Sequence, residues 1–273
     1  MVTRHTTKLD DHGVSEAIGF MLIFTIVIAG IGLVTLYGYP LLLQQQVSAD
    51  EKIMEKNMIV LQNDIKSLAY KTVPFKETSL KIGGGSLTVY NSGYSPSSSS
   101  INISDSTGTK YVDLFTPGEL RYESISAQTD ISLQNGAVVM RPRINPGSVM
   151  LSEPRWFYDD QTNTMVINLI NITSNNIMAK EGIGTVQMTL GETTYTNIPI
   201  PAGTTITLDY TPDITGVQNY SVAWGNYFTN SLNMNLALVQ PFPSPTKTYQ
   251  LPTDTTRQAT LVIKKYEVQI KNI

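Results

Sequence analysis

A long uncharged segment near the N-terminus most constrains what this chain can fold into. No Asp, Glu, Lys or Arg occurs from residue 17 to residue 49, and residues 17–43 are strongly apolar. As a helix, the apolar part would extend about 40 Å at a rise of about 1.5 Å per residue. That length exceeds the ~30 Å hydrocarbon core of a bilayer. The segment therefore predicts a transmembrane helix, with a secretory signal peptide as the main alternative, although the apolar core of such a peptide is shorter.

The end of this segment has the features of a membrane boundary. Tyr37 and Tyr39 lie where an interfacial aromatic belt is expected. Gly38 and Pro40 are expected to loosen or bend the helix at the same depth. The positive-inside rule does not assign an orientation, because basic residues occur on both sides of the segment: Arg4 and Lys8 before it, Lys52 and Lys56 after it.

Residues 44–78 are predicted to form an amphipathic helix followed by a linker. Apolar residues recur at spacings of seven, four, three, four and three, which is a helical, near-heptad period: Val47, Met54, Met58, Leu61, Ile65 and Leu68. Charged residues between them form a solvated face. The pattern fits two arrangements, a helix packed on its own β-domain or a helix that meets other subunits in a bundle.

Residues 79–273 are predicted to form a β-rich domain, which makes the fold mainly β. Alternating apolar residues predict strands at 87–90, 111–115, 119–126, 131–133, 137–140, 155–158, 165–172, 184–190, 205–210, 220–224, 233–239 and 260–270. Asn135-Gly136 predicts a two-residue hairpin turn, and Gly83-Gly84-Gly85 a turn before a strand. Many short strands with regular turns favour an antiparallel β-sandwich-like domain. We expect this domain, from residue 79 onward, to fold alone.

Two segments of this domain are predicted to be loops. Residues 92–100 are rich in serine, and residues 241–257 contain four prolines, which favours an extended surface segment. A division of the domain into two packed β-halves near Leu151 is an alternative to one domain.

The residue types present exclude several kinds of active site. The chain has no cysteine, which excludes disulfides, thiolate nucleophiles and cysteine-ligated metals. Its two histidines, His5 and His12, both precede the apolar segment, so the β-domain has no Ser-His-Asp triad and no histidine-ligated metal. A net charge of −3 without a basic cluster argues against nucleic-acid binding. The sequence therefore predicts a protein that is not an enzyme and uses no cofactor.

Three groups of residues remain as candidates for chemistry or binding. Asp159 and Asp160 could hold a hard cation, but a hairpin loop is the favoured interpretation. A pair of catalytic carboxylates, as in glycoside hydrolases, could come from Asp113, Glu119, Glu123 and Asp130, although acidic residues are ordinary in strands and turns. A set of aromatic residues could stack on a carbohydrate, with core packing favoured instead: Tyr122, Trp156, Phe157, Tyr158 and Trp224.

Residues 12–20 read His-Gly-Val-Ser-Glu-Ala-Ile-Gly-Phe where the apolar segment begins. This run resembles the N-terminus of archaeal type IV pilin-like proteins, in which a prepilin peptidase cuts after a small residue just ahead of a Val-Ser-x-x-Ile-Gly motif. The resemblance implies cleavage between Gly13 and Val14, so that residues 1–13 are a leader and residues 14–43 a transmembrane helix. It also implies a single-pass protein of the cell membrane whose domain, residues 79–273, is extracellular. The chain departs from the family pattern directly before the cut, where Asp10-Asp11-His12 replace the usual Lys or Arg.

Glu16 gains a possible role from this resemblance. Cleavage after Gly13 would create an α-amine at Val14, two residues from Glu16. A carboxylate beside lipid is costly unless it is paired. An amine of the same or a neighbouring chain could pair with Glu16 and set the register of a helical assembly. The alternative is that Glu16 marks the water interface.

An extracellular domain would also give meaning to three N-glycosylation sequons, which begin at Asn102, Asn171 and Asn219. The resemblance thus implies a glycoprotein, a minor pilin-like subunit of a surface filament or of its assembly machinery. Its expected partners are the lipid bilayer, the prepilin peptidase, and other pilin-like subunits or surface-layer components. The alternatives are a stand-alone anchored module that binds the surface layer, a glycan or another protein, and a surface hydrolase.

Overall fold

The computed structural model describes residues 11–71, 73–92, 99–144, 147–213, 219–237 and 245–273, with side chains from Ser15 onward. The chain forms two compact units, Met1–Ala49 and Asp50–Ile273. Residues 50–273 therefore form one unit and do not divide near Leu151. That residue lies within a strand paired to its neighbour.

Helices occupy the first part of the chain. Helix α1 (Asp11–Leu33) is followed by a π-helical turn at Val34–Gly38 and by helix α2 (Tyr39–Lys71). In the π turn, the Tyr39 N–H donates to the Val34 carbonyl instead of to a carbonyl four residues back. Pro40 has no N–H to continue the regular ladder. The predicted loosening at Gly38 and Pro40 is confirmed as this change in helix type.

Within the ranges given above, fourteen strands follow, all in the second unit, with one short helix and one π turn. They are β1 (Phe75–Tyr90), β2 (Ser100–Asp105), β3 (Lys110–Phe115), β4 (Glu119–Ser124), β5 (Thr129–Gln134), β6 (Ala137–Pro142), β7 (Val149–Ser152), β8 (Phe157–Asp159), β9 (Thr164–Ser174), β10 (Met178–Ile200), β11 (Ile206–Thr211), helix α3 (Ser221–Asn226), a π turn (Tyr227–Ser231), β12 (Asn235–Ala237), β13 (Lys247–Gln250) and β14 (Ala259–Asn272).

The strands form two sheets. A nine-stranded sheet has the order β7-β6-β5-β4-β1-β10-β14-β9-β8, and a five-stranded sheet has the order β12-β13-β11-β2-β3. Pairing is antiparallel except between β14 and β9, which run parallel. Between β5 and β6 the predicted turn at Asn135-Gly136 is present, with φ values of +46° and +74°. The fold is mainly β, as predicted, with an apolar helix and then an amphipathic helix ahead of the sheets.

The nine-stranded sheet separates two hydrophobic cores. In β9, Leu169 belongs to one core and Ile170 to the other, and in β6 Val139 and Val138 divide in the same way. Successive side chains of a strand point to opposite faces, so the two cores lie on opposite faces of this sheet. The five-stranded sheet and α3 cover one core, which gives the sandwich-like pair of sheets.

Helix α2 covers the other core. The apolar stripe predicted from the sequence is buried against the sheet: Met54, Met58, Leu61, Ile65 and Leu68. This confirms that the amphipathic helix packs on its own β-domain. Strand β1 begins at Phe75, four residues before the predicted start of the domain, and the helix supplies part of the core.

A buried glutamine fixes the helix to the sheet. The Gln62 Nε2 donates to the Gly136 carbonyl at 2.7 Å and to the Glu153 carbonyl at 3.1 Å. Its Oε1 accepts from the Ser152 hydroxyl at 2.6 Å. The amide therefore joins α2 to the β5–β6 turn and to the end of β7, and both of its ends are satisfied within the core.

Two of the predicted elements are wrong. Residues 220–224 were expected to be a strand but lead into helix α3, because the buried residues here recur at helical spacing: Tyr220, Ala223, Trp224, Tyr227 and Phe228. Residues 241–257 were expected to be a loop, but they contain strand β13, whose Tyr249 is buried. In the other predicted loop, residues 93–98 lie outside the described residues, and Ser100 begins β2.

Gly83-Gly84-Gly85 forms a bulge inside β1 and not a turn before a strand. The pairing of β1 with β10 shifts register between Ile82 and Leu87. Gly84 has a φ of +67°, which favours glycine. A Cβ on Gly83 would lie 2.4 Å from the Asp50 Oδ1, and one on Gly85 would lie 2.2 Å from the Glu123 carbonyl oxygen. The triplet therefore allows the start of the second unit and strand β4 to approach β1.

Candidate functional sites

The apolar segment exposes its side chains along its whole length. Its large apolar residues, from Ile18 to Leu43, are between 44% and 73% exposed. The hydroxyls of Thr25 and Thr35 donate to the carbonyls of Met21 and Ile31, one turn back, so these polar groups are satisfied inside the helix. One helix in the described residues is long and apolar enough to cross a membrane, and it includes this segment.

The residues predicted at the start of this segment lie in helix α1. The backbone of Gly13 and Val14 is helical, and their side chains lie outside the described residues. Glu16 is exposed and is the one charged residue between positions 15 and 49. Cleavage at Gly13 and pairing of Glu16 stay predictions.

The three sequon asparagines lie at different places in the second unit, and each is half-buried. Asn102 lies in β2, where its Oδ1 accepts from the Leu114 N–H at 2.6 Å. The Oδ1 of Asn171, in β9, accepts from the Gly118 N–H at 3.0 Å. Asn219 precedes α3, and its Oδ1 accepts from the Ser221 N–H at 2.9 Å. In each case the amide oxygen is used by the backbone, so the side chain is held in place.

The structure brings together three of the four candidate catalytic carboxylates. Glu119 and Glu123 alternate along β4 with residues of the helix-side core, so they project from the opposite face of the sheet. Asp130 lies on the neighbouring strand, paired with Glu123. Asp113 is elsewhere, on β3, where it pairs with Lys110.

Two arginines pair with these carboxylates. Arg121 is 2% exposed, and its guanidinium lies 2.6 Å from the Glu119 Oε1 and 3.0 Å from the Glu123 Oε1. The guanidinium of Arg143 lies 2.6 Å from the Asp130 Oδ1. The Arg121 Cζ also stacks 4.0 Å from the centre of the Tyr90 ring. Neither arginine was identified from the sequence, although the Glu-x-Arg-x-Glu alternation on one strand face was a usable signal.

This buried charge cluster has a defined electrostatic character. Burial raises the pKa of Glu119, and the Arg121 guanidinium opposes that shift. Burial would lower the pKa of Arg121, but Glu119 and the other neighbours outweigh it and raise the pKa. Ser132 also donates a hydrogen bond to Glu119. The charges thus form a paired network that ties β4, β5 and β6 together.

The candidate aromatic platform divides between the cores. Trp156 and Trp224 are buried in the core between the sheets, with their rings 6.2 Å apart. Tyr122 is buried in the helix-side core, where its hydroxyl donates to the Gly83 carbonyl at 2.5 Å. Phe157 is 46% exposed. Core packing, the favoured interpretation, is confirmed for the two tryptophans and Tyr122.

Asp159 ends β8 and Asp160 begins the turn to β9, as expected for a hairpin. The Asp159 carboxylate accepts from the Gln161 N–H at 3.1 Å and from the Thr162 hydroxyl at 2.7 Å. Within the described ranges, no group of three or more His, Cys, Asp or Glu side chains could hold a metal ion.

A comparison with known proteins identifies a family. The chain belongs to the family described as "Family of unknown function (DUF7289)", which matches residues 12–270. No curated protein and no solved structure gives a significant match. The match begins next to Gly13 and runs to the last strand, so it includes both units.

Proposed function

We propose that this chain, as a member of that family, is a single-pass protein of the cell membrane with its β-domain outside the cell. We further propose that it is a pilin-like minor subunit of a surface filament or of its assembly machinery, and not an enzyme. The apolar segment carries the proposal. Contiguous exposed apolar surface on this scale requires a lipid or protein environment, and the uncharged stretch of residues 17–49 suits a bilayer.

Glu16 supports the assembly role. A tether needs apolar residues alone, yet a carboxylate is placed at the start of the span, where it is costly unless it is paired. Cleavage after Gly13 would supply the pairing group as the α-amine of Val14. The Val-Ser-Glu-Ala-Ile-Gly run of residues 14–19 supports the same site of cleavage.

The second unit supports a subunit that also presents a large domain. It contains fourteen strands and an amphipathic helix with its own cores, which is more than a filament-forming helix needs. Half-buried asparagines at Asn102, Asn171 and Asn219 provide candidate positions for glycans on an extracellular surface.

The first experiment is mass spectrometry of the N-terminus of protein purified from membranes. We expect the mature chain to begin at Val14 and to remain in the membrane pellet after alkaline washing. An intact N-terminus would overturn the pilin-like processing. A chain cut after the apolar segment would overturn the anchor as well, because the protein would then be secreted.

The second experiment separates the assembly subunit from the anchored module. Glu16→Gln should leave the protein in the membrane, because a neutral side chain is easier to insert, but it should reduce recovery in filaments or large complexes. Ser15→Ala, at the adjacent exposed position, is the matched control and should assemble normally. If Glu16→Gln leaves complex size and filament incorporation unchanged, the anchored binding module is the better account.

A further inference from the structure

Three isoleucines stand out on the second unit. Ile125, Ile144 and Ile183 are 80%, 75% and 75% exposed, which makes them the most exposed large apolar side chains in the part of the chain that the structure describes. They exceed even the residues of the apolar segment, whose highest value is 73% at Tyr37. Scattered exposed apolar residues are normal, but a local group of them marks an interaction surface.

Each of the three isoleucines lines, or lies within two residues of a residue that lines, one cleft of about 370 Å³ in the region of the nine-stranded sheet where β4 ends. Ile125 lines the cleft directly, Ile144 follows the lining residue Arg143, and Ile183 lies two residues after the lining residue Glu181. The Arg143 N–H donates to the Gln128 carbonyl at 2.7 Å, which ties the segment before Ile144 to the β4–β5 turn that holds Ile125. We call these three residues the isoleucine surface.

This cleft lies beside the first residue of the second unit. Gly84 lines the cleft, and a Cβ on Gly84 would lie 3.6 Å from the Asp50 Cβ. Asp50 follows Leu43, the last residue of the strongly apolar run, by seven residues. Even fully extended, seven residues span at most about 25 Å at about 3.6 Å per residue. The chain from Leu43 to Asp50 is therefore short enough for the cleft to reach the surface of a bilayer that holds the apolar segment.

We propose that the isoleucine surface docks on the bilayer that holds the apolar segment, with the three side chains inserted at the boundary between the lipid head groups and the acyl chains. This inference rests on the proposed membrane anchoring and extends it from the helix to the β-domain. We choose the lipid surface over a protein partner because the short chain from Leu43 brings lipid within reach of every copy. Exposed apolar side chains favour such an interface when an anchor already holds the protein there.

The charges around the cleft are compatible with a lipid surface. The Glu123 carboxylate lies 4.0 Å from the guanidinium of Arg143. The Asp50 carboxylate lies 4.0 Å from the Lys81 ammonium group. Each of these two acidic groups has a basic neighbour, and Glu181, which also lines the cleft, follows Lys180 in the chain. Acidic and basic groups are therefore mixed near the isoleucines, with no single-sign field to oppose contact with lipid. Docking is therefore expected to depend on the apolar side chains more than on lipid charge.

The absence of cysteine makes this proposal directly testable. Single cysteines replace Ile125, Ile144 or Ile183 in the full chain, one at a time, and carry an environment-sensitive fluorophore in nanodiscs that hold one protein copy. Tyr195→Cys is the matched control: Tyr195 is 60% exposed on the same strand as Ile183, and twelve strand residues separate them by about 40 Å. Ile28→Cys, within the apolar segment, reports on the anchor.

We expect quenching by lipids with brominated acyl chains to be several-fold stronger at the three isoleucine positions than at Tyr195, with emission shifted to the blue. If Ile28→Cys is not quenched, the anchor itself fails. If Ile28→Cys is quenched but the isoleucine positions match Tyr195, the docking proposal is overturned and the anchor stands. Shielding that appears only when several copies share one vesicle would assign the surface to a second copy and would also overturn docking on lipid.

Discussion

The two parts of the N-terminal helical region use apolar residues in opposite ways. From Ile18 to Leu43 every large apolar side chain is exposed. From Asp50 to Lys71 most apolar residues form one buried stripe, and mainly charged and polar residues occupy the other faces. A helix with the first pattern needs an apolar environment around its whole circumference. A helix with the second pattern needs only a sheet packed against its apolar face. Both segments are helical. What each segment packs against is therefore determined by how its apolar residues are distributed around the helix axis.

Removing the second part should have the largest effect. Residues 50–273 expressed alone should be soluble and folded, whereas residues 79–273 should aggregate or stay unfolded. At about 2 kcal/mol for each of the five buried apolar side chains of α2, the shorter fragment loses about 10 kcal/mol, which is comparable to the whole stability of a typical domain. Far-ultraviolet circular dichroism and size-exclusion chromatography would measure this. A cooperative unfolding transition in the shorter fragment would contradict this prediction, because it would show that the domain folds without α2.

Neighbouring positions on α2 should respond very differently to the same truncation. Leu61 is fully buried and Val60 is 47% exposed. In the fragment of residues 50–273, Leu61→Ala should lower the free energy of unfolding by about 2–5 kcal/mol. Val60→Ala should change it by less than about 0.5 kcal/mol. Urea denaturation of both variants measures the difference, and equal effects would mean that the helix has no preferred face.

Gln62 tests whether α2 is held by a polar group as well as by its stripe. Gln62→Leu should lower the free energy of unfolding by about 1–3 kcal/mol, because the buried carbonyl of Gly136 loses its donor. Asn63→Ala, at an exposed neighbouring position, should be nearly neutral and serves as the control. A more stable Gln62→Leu variant would show that apolar packing alone is sufficient to position this helix.

Acid should lower the stability of the β-domain without releasing the apolar segment from the membrane. This is the smallest of the four expected effects. Burial would raise the pKa of Asp105, but hydrogen bonds from Thr107, Tyr111 and Thr109 outweigh it and lower the pKa to about 2. An unfolded aspartate has a pKa of about 3.9. The depressed pKa therefore contributes stability above that value, and the contribution is lost as the pH falls toward about 2.

The prediction is tested by measuring the urea midpoint of residues 50–273 between about pH 5 and about pH 2. This interval includes the pKa of Asp105 in the folded protein and that of an unfolded aspartate. The midpoint should fall less in Asp105→Asn than in the unchanged fragment over this interval. Membrane retention of the full chain should not change, because residues 17–49 contain no carboxylate. A midpoint that falls equally in both fragments would assign the acid sensitivity to other carboxylates.

Secondary structure is predicted best from this sequence where a single periodic spacing of residues determines a helix, strand or turn. The stripe of α2, the Asn135-Gly136 turn and the strands β9 and β14 all depend on local spacing, and each is confirmed. The prediction of a strand at residues 220–224 is wrong because four aromatic or apolar residues in a short window do not show a helical period until Tyr227 and Phe228 are included. Strand β13 was missed because prolines before it suggested a loop, while Tyr249 is buried through contacts with residues distant in sequence.

The candidate sites were less predictable for a related reason. The pairing of Glu123 with Asp130 follows from the β4–β5 hairpin, but the partnership of Asp130 with Arg143 requires a third strand. The isoleucine surface is assembled from residues that lie far apart in the chain: Ile125 in the β4–β5 turn, Ile144 after β6 and Ile183 within β10. A single exposed apolar residue carries no signal by itself, and the group becomes visible only when the sheet brings these segments together.

The position of strand β14 within the nine-stranded sheet determines when that sheet can close during synthesis. Strand β14, residues 259–272, lies between β10 and β9 and is paired with both along most of its length. Strands β9 and β10 follow each other in the chain, yet they are not neighbours until the final segment is inserted between them. A chain that emerges from the ribosome N-terminus first would therefore have a gap in its central sheet until residues 259–272 have been made. Long-range pairing of this kind is also slow, so in the proposed topology the domain would cross the membrane before its sheet closes, and a stop codon ahead of residue 259 would leave the gap unfilled.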